Sequence, residues 1–324
     1  MKAAWYERNG AARDVLIVGD LPTPEPGPGE VLVRLKVSGV NPSDVKSRAA
    51  RPLGGPKVVP HSDGAGVIAV AGRNVPASRM GERVWLWNGQ WQRPMGTAAE
   101  FIALASEQAV RLPDNVDFAA GACLGIPGLT AMHAVNLHEP LHGKTLLITG
   151  AASAVGHYAT QIAAARGARV IGTASAERAA HALSAGAAAV IDYKKENVVE
   201  RMLDLTHGKG ADGIIDMDFS STAPMLSGGI LAPYGKLVGY GSNQRGNNTL
   251  PFTDALFKSL TLQFFLVYEL RPEERARAIA DLNAMLEAGA LTHTIGALFP
   301  LAQIAAAHET VEAGRLIGNT VIEF

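Results

Sequence analysis

The stretch Gly150-Ala151-Ala152-Ser153-Ala154-Val155-Gly156 constrains this chain more than any other. It follows the short apolar strand candidate Thr145-Leu146-Leu147-Ile148-Thr149 and leads into a predicted helix that runs to about Arg166. A tight turn from strand to helix brings backbone N–H groups and the positive end of the helix dipole to one point, where a pyrophosphate is stabilised. Gly150 permits the turn, and Gly156 lets the helix pack closely on the sheet. Ala152 and Ser153 are expected to add backbone donors nearby. The spacing departs from a strict G-x-G-x-x-G, so its position between strand and helix carries the assignment.

Downstream, apolar strands and helices alternate. Strands are expected at 168–173, 189–191, 213–216, 236–240 and 261–267, with helices at 177–185 and 198–206 between them. Short, almost continuously apolar strands separated by helices imply a parallel sheet covered on both faces, hence an α/β doubly wound unit of Rossmann type. An NAD site places an acid about twenty residues beyond the glycine turn, on the ribose hydroxyls. Here that place holds Thr173 and Ser175, with Arg178 close behind and Tyr193 and Lys194 after the third strand. A guanidinium and a hydroxyl suit a 2′-phosphate, so NADPH is expected over NADH, with Glu177 either pointing away or weakening that preference.

The first 120 residues read differently. Strands are expected at 31–37, 64–70 and 81–87, entered through Gly and Pro. The prolines at 22, 24, 26 and 28 stiffen the approach to the first of them. These short strands suggest a compact, partly barrel-like β domain. After a helix at 272–287, a strand at 291–298, a helix at 302–313 and a last strand at 320–324 no longer follow the Rossmann pattern, and return to complete the first domain. A length of 324 residues fits two domains. A formal net charge of −1 with no basic run argues against nucleic acid as a partner. Cys123 is the sole cysteine, which rules out an intrachain disulfide and a thiolate zinc cluster and suits the cytoplasm. The opening MKAAWYERNG lacks a secretion signal's apolar run, and no stretch suits a membrane span.

Taken together, the motifs resemble the medium-chain dehydrogenase/reductase superfamily, in its zinc-free quinone oxidoreductase branch, which includes zeta-crystallin. The resemblance extends over essentially the whole chain. It rests on Asn41-Pro42-Ser43-Asp44 with Lys46 and Arg48, His61-Ser62-Asp63-Gly64-Ala65-Gly66-Val67, Gly81-Glu82-Arg83-Val84, Gly128-Leu129-Thr130-Ala131, the turn from Gly150 to Gly156, the run from Gly228-Gly229 to Gly241-Ser242, and the run from Ala307-His308-Glu309 to Gly318-Asn319. The resemblance implies a GroES-like β-rich catalytic domain at 1–121 and 269–324, and a Rossmann coenzyme domain at 122–268, with a cleft between them. It implies NADPH, a homodimer or homotetramer, and a quinone or activated carbonyl as substrate.

Carried over by position, Asn41 approaches the nicotinamide ribose or a substrate oxygen, and Thr130 lies close to the nicotinamide. Ala151, Ala152, Ser153, Ala154 and Val155 form the pyrophosphate turn; Ser175, Arg178 and Tyr193 surround the 2′-phosphate. Tyr240, Gly241 and Ser242 flank the cofactor, Phe265, Leu266 and Val267 add contacts at the nicotinamide side, and Asn319 closes the site. Three positions depart from the pattern: Ala154 replaces a glycine, Val45 a common tyrosine, and Arg178 a common lysine.

The zinc-dependent branch needs a Cys/His set, and Ser38-Gly39-Val40-Asn41 has no cysteine at the ligand position, so no metal is expected. His61 and Asp63 are a weak pair, Asp44 is expected to fix its loop, and His133, His138 and His142 are taken for packing or surface residues. Without a Lewis acid the acceptor must already be activated, with Asn41 as a neutral donor to developing oxyanion charge. Reduction of a quinone leads; reduction of an enal or enone double bond is the alternative; an NADPH-binding regulatory or structural protein is the alternative outside enzymes.

Overall fold

The structure is a computed structural model and describes residues 1–244 and 246–324. The chain divides into two compact units: Met1–Ile126 with Asn283–Phe324, and Pro127–Leu282.

In the first unit, β1 (Lys2–Trp5) and β2 (Ile17–Asp20) form a small antiparallel pair. The main sheet contains β3 (Glu30–Val40), β4 (Asp63–Ala71), β5 (Arg83–Leu86), β6 (Phe101–Ala105) and β7 (Ala109–Arg111). The second unit holds β8 (Thr145–Ile148), β9 (Arg169–Ala174), β10 (Ala189–Asp192), β11 (Ala211–Asp216), β12 (Leu231–Gly239) and β13 (Thr261–Phe264). Finally β14 (Ile295–Pro300) and β15 (Asn319–Glu323) return to the first unit, where β15 pairs antiparallel with β3.

The six strands of the second unit are all parallel, in the order β10-β9-β8-β11-β12-β13. That order reverses between β8 and β11, and the crevice for a ligand in such a sheet lies beyond the carboxyl ends of the strands at that reversal. Leu147, Ile171, Ile191, Ile214 and Leu237, one from each of five strands, share a core whose members are fully buried. Burial of this kind stabilises the fold by about 1.5–3 kcal/mol per side chain, which is why these strands have so few polar residues. The first unit has its own core, in which Val31, Val33 and Leu35 of β3 meet Ile68, Val84, Leu86, Ile102 and Leu104.

Several elements differ from the expected ones. The segment Pro42–Ala50, taken as part of a strand-and-turn region, is a helix. Pro42 supplies the first helical φ, and the Asp44 carboxylate accepts from the Asn41 backbone N–H at 2.8 Å, so Asp44 fixes the start of a helix rather than a loop. Strands β1, β2, β6 and β7 had no clear alternation to announce them. Strand β13 stops at Phe264, and Val267–Glu269 is a short 3-10 turn. The helix Pro272–Glu287 runs as expected, but its two ends bond to different units. Arg275 donates to the carbonyls of Val267 and Tyr268, while Asn283 accepts from Trp85 Nε1 and donates to Arg111 O. The compact units therefore change over within this helix, at Leu282/Asn283, whereas the sequence suggested 268/269.

Candidate coenzyme site and the Asn41 cluster

The turn after β8 is built around two glycines. Gly150 has φ +64°, and a Cβ there would lie 2.0 Å from Met217 Sδ. At Gly156 a Cβ would lie 2.1 Å from the Gly150 carbonyl, so only glycine lets the helix Ala154–Ala165 start this close to the turn. Ser153 caps that helix, its hydroxyl accepting from Gly156 N–H at 3.1 Å. Thr173 of β9 pins the turn from the side: its hydroxyl accepts from Gly150 N–H and its carbonyl from Ala151 N–H.

Within the turn itself the Ser153 N–H bonds the Gly150 carbonyl and the Ala151 N–H bonds the Thr173 carbonyl. Ala154 and Val155 stand in the first turn of the helix, where N–H groups have no intrahelical acceptor.

A cavity of about 350 Å³ opens over this turn. Gly150, Ala152, Ser153, Thr173, Ser175, Arg178 and Tyr193 all line it. Sequence reasoning missed the opposite wall, formed by Thr149, Met217, Asp218, Ser221, Thr222 and Asn243. The carboxyl end of β11 was the available signal, since ligands in such sheets collect at strand ends. Asp216 there is fully buried, and its Oδ1 accepts from Thr149 and Thr222 hydroxyls and Asp218 N–H. Burial raises its pKa despite those bonds. Burial acts the same way on Asp218, but donors from Asn243, Ser220 and Ser221 outweigh it and hold that carboxyl below its ordinary value.

Ser175 is buried at the end of β9. Its hydroxyl bonds to Glu177, which holds the Glu177 carboxyl below its ordinary value, with Lys194 adding to the effect. Glu177 therefore engages the Ser175 hydroxyl at the carboxyl end of β9.

Tyr240, Gly241, Ser242 and Phe265 line a second cavity of about 600 Å³ in the same unit, with Phe219 and Phe264. The Tyr240 hydroxyl is buried, which pushes its pKa up, and the charge of Asp216 acts in the same direction. Phe265 packs edge-on against His133 at 4.7 Å. Leu266 is exposed, Val267 is buried, and Thr130 is buried in the helix Leu129–Asn136.

In the first unit the expected residues are buried. Asn41 donates from Nδ2 to Asp63 Oδ2 at 2.9 Å, and the same oxygen accepts from Ile126 N–H at 3.1 Å. Asp44 and Asp63 are both buried carboxyls, one pushed up to about 7 by burial and the other well above its ordinary value by burial and then by the charge of Asp44. His61 is fully buried with φ +76°; its Nδ1 meets Ser38 Oγ at 2.9 Å and its Nε2 meets His308 Nε2 at 2.9 Å. Burial lowers both imidazole pKa values, so the pair is neutral and one ring donates to the other. Asn319, the first residue of β15, donates its amide to the Thr294 carbonyl at 3.2 Å.

Among the described residues no group of three His, Cys, Asp or Glu side chains is placed to hold a metal ion, and Cys123 is buried. A dinucleotide does fit the second unit, where the turn, the capped helix and the cavity converge.

This pairing of a GroES-like unit with a parallel coenzyme sheet defines an oxidoreductase of the dehydrogenase/reductase class. Residues 27–114 match the alcohol dehydrogenase GroES-like domain family and residues 154–284 the zinc-binding dehydrogenase family. The chain is 35% identical over 321 residues to a quinone oxidoreductase of Pseudomonas aeruginosa, with 95% of each protein covered. Among solved structures it resembles an NAD-dependent alcohol dehydrogenase (28% identity, TM-score 0.88) and a mycobacterial protein complexed with NADPH (28% identity, TM-score 0.87), each over 100% of both chains. The chain belongs to the medium-chain dehydrogenase/reductase superfamily, in its quinone oxidoreductase branch.

Proposed function

We propose that the protein is an NADPH-dependent quinone oxidoreductase that works without zinc. The observation that carries this reading is the cavity at the end of β9, where Ser175, Arg178 and Tyr193 line one wall and bring a guanidinium and two hydroxyls to it. In this reading Ala154 and Val155 N–H groups hold the pyrophosphate, and Ser175, Arg178 and Tyr193 hold the 2′-phosphate. Bound NADPH supplies a hydride from C4 of its nicotinamide. Asn41 orients the acceptor and stabilises charge on its oxygen through its amide, and Tyr240, Gly241, Ser242 and Phe265 shape the nicotinamide end. The balance is quinone, NADPH and one solvent proton giving hydroquinone and NADP⁺.

The protein is placed in the cytoplasm as a homodimer in the same proposal. One side of β13 is the edge of its sheet, and Phe252, Leu256, Phe257 and Phe264 near it are exposed. A second copy adding its own β13 antiparallel covers both. Among the described residues no helix is long and apolar enough to cross a membrane.

The test is NADPH oxidation by chelator-treated protein against matched panels of quinones and α,β-unsaturated carbonyls, with products identified and NADH as control. Rapid hydroquinone formation with NADPH supports the reading. Saturated carbonyl products with idle quinones replace it with alkene reduction, and faster turnover with NADH overturns the coenzyme assignment. NADPH binding without turnover of either panel points to a regulatory or structural role.

A further inference from the structure

Asp63 belongs to no coenzyme wall, yet it is among the most deliberately enclosed side chains in the first unit. It is fully buried, and Oδ2 receives two hydrogen bonds, from Asn41 Nδ2 and Ile126 N–H. Its Oδ1 is buried with no hydrogen-bond partner among the described residues. That oxygen sits against Gly125, where a Cβ would lie 2.5 Å from Oδ1 and 2.3 Å from the Leu86 carbonyl. The backbone of Asp63 is clamped as well. Its carbonyl accepts from Thr97 Oγ1 at 2.5 Å, and Thr97 Oγ1 lies 2.8 Å from Ser38 Oγ, which itself contacts His61 of the buried His61–His308 pair. A continuous polar chain therefore runs from His308 through His61, Ser38 and Thr97 to Asp63 and ends on Asn41.

A primary amide can turn end for end at little cost unless a neighbour distinguishes its oxygen from its nitrogen. An oxygen of Asp63 that already accepts from Ile126 N–H accepts again from Asn41 Nδ2, so it selects the amino end of that amide. We propose that Asp63 is a positioning residue that fixes the amino end of the Asn41 amide, while Asp44 of the capping box meets the same side chain from the helix start, so that the amide keeps one orientation. This inference rests on the proposed role of Asn41 in orienting the acceptor.

The role needs an acceptor at Oδ2, not a charge. Asn at position 63 keeps the carbonyl oxygen that both donors need and puts its amino group where Oδ1 has no partner. Asp63→Asn is therefore expected to retain kcat/KM for a benzoquinone within about 3-fold, with the parent's pH profile. Asp63→Ala is expected to lose about 10- to 100-fold in kcat/KM, the scale of one buried hydrogen bond to a charged or strongly polar partner, while the NADPH Kd from fluorescence stays within about 2-fold. In an Asn41→Ala background, Asp63→Ala should subtract nothing more, because its effect passes through Asn41. If Asp63→Ala does not fold, Asp63→Ser, whose short hydroxyl cannot reach Asn41, takes its place.

Additive losses in the double variant overturn the inference and leave the Asn41 reading intact. A loss in Asp63→Asn equal to that of Asp63→Ala, or a displaced limb in its pH profile, also overturns it, by assigning Asp63 to proton handling. Parent-like kcat/KM in Asn41→Ala alone removes the role of Asn41 itself, and the inference with it.

Discussion

Arg178 and Glu177 face the same problem with opposite charge. Arg178 lines the cavity at the end of β9, and Glu177 takes the Ser175 hydroxyl that a 2′-phosphate would use. Arg178→Ala should raise KM for NADPH about 10- to 100-fold, the worth of a charge-assisted phosphate contact, and leave KM for NADH within about 2-fold. Glu177→Gln should act the other way and tighten NADPH a few-fold, because Ser175 is released and a negative charge removed; steady-state KM values for both coenzymes check the pair. The two turn glycines separate strain from collision. Gly150→Ala meets the end of a flexible Met217 side chain, so its cost is mainly the φ of +64°, about 1–2 kcal/mol. Gly156→Ala meets the Gly150 carbonyl at 2.1 Å, which cannot swing away, and should cost about 3 kcal/mol and abolish NADPH binding. Denaturant midpoints of the two variants decide this, and equal losses contradict it. Both glycines were legible in the sequence because a strand-to-helix turn leaves few alternatives. Thr149 and Asp218 were not, because their place in the cavity wall depends on the β8–β11 adjacency, which no local pattern encodes.

At the scale of elements, the helix Pro42–Ala50 shows how a polar motif can be seen and its structure missed. Asn41, Pro42 and Asp44 have the residue types of a helix start, at N-cap, N1 and N3, but the helix lacks the apolar stripe by which helices are usually recognised. Its buried carboxyl gives it a pH signature. The pKa of Asp44 is pushed up to about 7 by burial, against an ordinary value of 3.8. Between about pH 4 and 7 the folded chain holds a proton there that the unfolded chain has lost. The resulting contribution is therefore fully present below about pH 4, lost as pH rises toward 7, and flat above it. Asp63 and Asp216, also raised, act with the same sign. Asp44→Asn should flatten the fall in stability between about pH 4 and 7, a difference of up to about 4 kcal/mol. Unchanged slopes of Tm against pH in parent and variant would show that Asp44 is ionised when folded.

The whole molecule adds constraints that no single element has. The edge of β13 and the exposed Phe257 nearby predict a particle of twice 33.9 kDa in light scattering, and Phe257→Glu should shift it to the monomer mass without loss of secondary structure. A monomeric parent contradicts the dimer. The sequence alone determined the parallel sheet and its glycine turn, because buried strands and glycine turns are written in local composition. It also carried the family, through motifs spread along nearly the whole chain. Only tertiary structure decided that β15 pairs with β3 across some 280 residues of chain, that the helix Pro272–Glu287 bonds to one unit at its start and the other at its end, and that Asp63 holds Asn41. Each of these is a contact between residues distant in sequence, formed because a buried donor or strand edge must find a partner, and the partner is chosen by where the rest of the chain has already packed.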